Sequence, residues 1–129
     1  MSDDLARRAV ACKGWRWMPG MLVVRHAMPT VWSRLIYRDD EKRWWGTDGP
    51  TVTDKMRALE HWLPDLDDPA TLGCLLALVR EAWATPTRCL WYDSEMTSQG
   101  SWCWDDGKGG FWMGDTEAEA LVAALEAAP

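Results

Sequence analysis

The Asp68-Pro69 pair most constrains how this chain can fold, because it fixes where a helix must begin. An aspartate ahead of the first turn accepts from backbone N–H groups that have no partner inside the helix. Proline at the first helical position gives up an N–H that would have been unpaired anyway. In the stretch from Leu63 to Trp83, the residues Leu72, Leu75, Leu76, Val79 and Trp83 recur at helical spacing, which lays them along one apolar stripe. Leu78 and Ala82 widen that stripe, so the pattern predicts a central helix buried along much of its girth and ended by Pro86.

The other elements are expected to gather about this helix. Ser2 or Asp3 caps a short helix through about Cys12, with Gly14 as its stop. Trp15-Arg16-Trp17 and Met21 to His26 alternate across the turn pair Pro19-Gly20 and read as a hairpin. A second strand runs from Thr30 to Arg38, with Thr30, Trp32, Arg34, Ile36 and Arg38 on one face and Val31, Ser33, Leu35 and Tyr37 on the other. Asp39-Asp40-Glu41 turns the chain into a returning strand, Lys42 to Trp45. Gly46 to Thr53 reads as a loop, and Asp54 to Leu63 as a short helix or irregular segment. Residues 28–62 therefore resemble an insertion between an N-terminal unit and the central helix.

Beyond the central helix, Arg88 to Tyr92, Trp102 to Trp104 and Gly110 to Met113 read as strands, the last two joined by the Asp105 to Gly109 turn. Thr116 and Glu119 form a capping box for a C-terminal helix. The expected architecture over residues 1–129 is one α+β domain, an α/β sandwich whose mainly antiparallel sheet is packed with helices.

Eleven tryptophans in 129 residues is several-fold above ordinary usage. A domain of this size struggles to bury so many indoles, each with an N–H that wants a partner, so several are expected at a pocket or an interface. Charge is also unevenly distributed. Residues 1–64 carry +3 and residues 65–129 carry −9, within a net charge of −6. That balance argues against binding long nucleic acid, while the cationic stretch 5–45, with nine basic and three acidic residues, suits a small anion. The four cysteines, Cys12, Cys74, Cys89 and Cys103, are widely spaced and read as reduced thiols of a cytoplasmic protein. No run of eighteen apolar residues is present to span a membrane, and MSDDLARRAV lacks the apolar core of a secretory signal.

Neither histidine, His26 or His61, has a cysteine or carboxylate at ligand spacing, and no metal or other cofactor is called for. Asp105-Asp106-Gly107 lacks the alternating oxygen ligands of a calcium loop, and Lys108-Gly109-Gly110 lacks the rest of a P-loop. Arginine interleaved with aromatic residues is the feature that could carry chemistry. Arg16, Arg25, Arg34, Arg38 and Arg43 would hold phosphate oxygens, while Trp32, Tyr37, Trp44 and Trp45 would stack a base. The same pattern also arises when guanidinium groups simply cover indoles across strands, with no ligand.

The order of a short helix ending in Gly14-Trp15, a variable middle, the PDLDDPATL helix, Trp-rich strands and the closing GDTEAEALVAALEAA resembles the phage ABA-sandwich domain family over residues 5–17 and 63–128. The resemblance implies α/β/α layering and a small phage-encoded protein in the cytoplasm of an infected bacterium. Some phage proteins of this size are anti-defence sponges, homo-oligomers that sequester a cyclic ADP-ribose-type or cyclic oligonucleotide signal without cleaving it. No binding residue transfers position by position. A small nucleotide is thus the expected partner, within a homo-oligomer. The alternatives are a phage accessory module that docks on a host protein through its Trp surface, and an enzyme that hydrolyses the signal.

Overall fold

The computed structural model describes residues 3–26, 28–47, 49–53, 62–95 and 100–129. It is a single-domain α+β fold that has, among the described residues, three helices and eight strands in two antiparallel sheets, the larger one curled. In chain order the elements are α1 (Asp3–Ala11), β1 (Leu22–Arg25), β2 (Met28–Arg38), β3 (Arg43–Gly46), β4 (Gly49–Thr53) and β5 (Trp62–Pro64). They are followed by α2 (Pro69–Trp83), β6 (Trp91–Asp93), β7 (Ser101–Asp105), β8 (Phe111–Gly114) and α3 (Glu117–Ala127). The five-stranded sheet has the order β4-β3-β2-β1-β5, and the three-stranded sheet the order β6-β7-β8.

The helix starts follow their caps. Asp68 precedes α2 with its carboxylate accepting from the Thr71 N–H, and α2 ends in a left-handed Ala84 two residues before Pro86. At α3 the Glu119 N–H donates to the Thr116 hydroxyl, and the Glu119 carboxylate accepts from the Asp115 N–H, 2.9 Å away. Thr71, Leu75, Leu78 and Val79 form the fully buried line of α2, while Leu72 and Leu76 stand at its margin.

Several expectations give way. Trp15 and Trp17 are buried, but the segment is not a strand, and β1 forms its hairpin with β2 instead. Gly49–Thr53, read as a loop, is an edge strand, where the missing N–H of Pro50 leaves no ladder bond unmade. Of the segment 54–63, expected as a short helix or irregular stretch, Trp62 and Leu63 belong to a strand, Trp62–Pro64, and 54–61 with His61 lie outside the described residues; of Arg88 to Tyr92 only Trp91 and Tyr92 enter a strand. The middle segment is integral to the larger sheet: it supplies β2, β3 and β4, and its Leu35, Trp44 and Val52 lie in the core beside Trp15, Met21, Val23 and Leu75.

A bulge re-aims β2. Leu35 pairs with Gly46 and Tyr37 with Trp45, so two steps on β2 match one on β3 and Ile36 is the extra residue. Leu35 is 1% exposed, whereas Ile36 and Tyr37 are both above 50%. Tyr37 has therefore moved to the outer face shared with Trp32, while Arg38 pairs with the buried Trp44. The strict alternation expected for this strand holds only from Trp32 to Leu35, since the register against β1 also shifts between Trp32 and Met28.

Gly46 is dictated by close approach, since an added Cβ would lie 1.8 Å from Ser33 Oγ and 2.9 Å from Ser33 Cβ. We expect Gly46→Ala to destabilise the fold by about 1–3 kcal/mol through overpacking. Adding Ser33→Ala should recover part of that, because it removes a buried hydroxyl that lacks a hydrogen-bond partner among the described residues but leaves the crowded Cβ. Urea titration of both variants checks the order.

The helices cover the inner face of the three-stranded sheet. Trp104 and Trp112 pack on Trp83 of α2, and Gly114 lets β8 approach the backbone of α3 at Ala120. The Trp83 indole N–H donates to the Ala124 carbonyl at 2.8 Å, joining α2 to α3. Arg8 bonds Glu126 and thereby joins α1 to α3. Among the described residues no helix is long and apolar enough to cross a membrane.

Candidate functional site

The nine residues that composition singled out do not form one site. Arg16 bonds Glu81 near the C-terminus of α2, whereas Arg34 bonds Asp68 at its N-terminus, about 20 Å away at 1.5 Å per residue. Arg25 lies over the Trp62 ring, 5.3 Å from its centroid, and pairs with Met28 at the start of β2. Arg38 lies at the other end of that strand, roughly 30 Å further along it. Trp44 is 6% exposed and belongs to the core, so the expectation that it stacks a base is corrected.

Arg34 is a second correction. Its two terminal nitrogens bind both Asp68 carboxylate oxygens at 3.0 Å, and Nη1 also reaches the Gly20 carbonyl at 2.8 Å. The fork that would have gripped a phosphate braces the sheet to α2.

Tyr37 and Trp45 share the outer face at the tip of the β2–β3 ribbon, with Arg38 and Arg43 at the same end of the two strands and Trp32 further along that face. The Tyr37 and Trp45 rings are parallel to within 5°, with centroids 6.3 Å apart. Asp39 organises the turn: one carboxylate oxygen accepts from the Glu41 and Arg43 N–H groups and the other from the Trp45 indole at 2.7 Å. The indole bond, then the backbone bonds, hold the Asp39 carboxyl below the usual carboxylate range. Arg38, Lys42 and Arg43 are matched in residues 38–43 by Asp39, Asp40 and Glu41, so the tip presents mixed charge rather than a cationic cup.

The larger feature of this surface is apolar. Met28, Val31, Trp32, Ile36 and Tyr37, all on β2, are 37–55% exposed. Ile36 was not singled out from sequence, although the consecutive apolar run Leu35-Ile36-Tyr37 breaks alternation and is the mark a bulge leaves. Among the described residues the two most spacious clefts of those found lie elsewhere. One of about 470 Å³ is walled by Ala77, Arg80, Glu81, Ala84 and Pro86, and one of about 400 Å³ between α2 and α3 by Leu72, Leu76, Leu90 and Leu121. Neither takes in any of the nine residues.

Among the described residues no three His, Cys, Asp or Glu side chains are grouped closely enough to hold a metal ion. All four cysteines are free, and burial pushes the Cys12 thiol up to about 11. No family model, curated protein or solved structure matches the chain.

Proposed function

We propose that this chain is a protein-docking module that works through the outer face of β2, in keeping with a phage accessory protein that binds a host protein. The observation that carries this reading is three exposed large apolar side chains, Trp32, Ile36 and Tyr37, on the outer face of one strand, with Arg43 at the same end of the ribbon. Contiguous exposed apolar surface marks interaction sites, and aromatic residues with arginine are the side chains enriched in them. A docked protein would cover Trp32, Ile36 and Tyr37 together, which a nucleotide-sized ligand would not.

A full-length wild-type bait and an Ile36→Glu bait test it in host lysate. The expected result is a partner retained by the wild type and lost with Ile36→Glu, since a carboxylate would then be desolvated inside the interface. A partner held equally by both baits would remove β2 from the binding surface.

Nucleotide sequestration is the second reading, favoured by one specific observation, the parallel and partly open Tyr37 and Trp45 rings. A base stacked there gains about 1–3 kcal/mol. Cyclic nucleotides or ADP-ribose derivatives at 100 times their dissociation constant would then stabilise the fold by about 2.7 kcal/mol, visible in a melt followed by tryptophan fluorescence. That stabilisation would disappear in Tyr37→Ala.

A further inference from the structure

We draw no further inference here: the strongest candidate, the outward-facing patch of Trp91, Phe111 and Met113 on the β6-β7-β8 sheet, is an unpartnered apolar face, and nothing in the structure shows what covers it.

Discussion

Trp104→Ala is expected to destabilise the protein by about 3–5 kcal/mol, lowering its melting temperature by roughly 10–20 °C. The side chain is fully buried and sits where the small sheet meets the helices, its ring centroid 6.1 Å from Trp83 and 6.0 Å from Trp112. Removing it opens a cavity between three elements, each held in place by further contacts. Trp83 is fixed by its bond to Ala124 and by Trp112 at 4.7 Å, so neither ring can collapse into the space freely. Trp104→Phe should be far milder, about 1–2 kcal/mol, because the Trp104 indole N–H has no hydrogen-bond partner among the described residues and loses none there when the ring changes. Thermal melts followed by circular dichroism measure both. Equal losses for the two substitutions would mean that the indole N–H, rather than ring volume, matters at this site.

The same cluster answers what eleven tryptophans are for. Trp15, Trp17, Trp44 and Trp104 are at most 6% exposed, and among the others Trp32 and Trp91 are the most open. Composition foretold the exposed ones in kind but not in place. The excess serves largely as filler in and around the core, and Trp32 and Trp91 stand on two outer faces.

What could be read from sequence was whatever rests on neighbouring residues. Asp68 before Pro69, Thr116 before Glu119, and the turn at 105–109 are local bonds, and each stands where expected. Trp15 and Trp17 fooled the alternation rule because it reports which side chains are buried, not whether a second strand lies alongside; both are buried, and the Trp15 N–H instead closes a turn on Cys12. Gly49-Pro50 read as a loop because an edge strand tolerates residues that a central strand does not. The bulge at Ile36 depends on which β3 residue opposes it, and that choice is made across the turn, not along β2. Arg34 illustrates the limit most plainly. Its spacing from Trp32 suggested a ligand, while its real partner lies 34 residues away.

That partner supports the last prediction. Asp68 is the meeting point of a small polar network: it accepts from the Thr71 N–H and hydroxyl and from the Arg34 fork. The Thr71 hydroxyl in turn accepts from the Leu22 N–H at 2.9 Å, so β1, β2 and α2 are tied at one point. Asp68→Ala removes the helix cap and strands Arg34 beside a helix N-terminus, where a cation is unfavourable; about 2–4 kcal/mol is expected. Asp68→Asn keeps a competent cap but not the charge, and should lose about 1–2 kcal/mol. Acid separates the two contributions. The Arg34 hydrogen bonds, outweighing burial, lower the Asp68 carboxyl from 3.8 to about 2. A carboxyl depressed by folding stabilises the protein fully above its unfolded value and ceases to do so as pH falls through its folded value, a contribution of order 2 kcal/mol here. Denaturant titrations should therefore show the gap between wild type and Asp68→Asn wide at pH 5, narrowing from pH 4 and nearly closed at pH 2, while the cap deficit of Asp68→Ala relative to Asp68→Asn persists throughout. A gap unchanged at pH 2 would mean that the Arg34–Asp68 pair contributes packing and geometry to this junction but no net charge stabilisation.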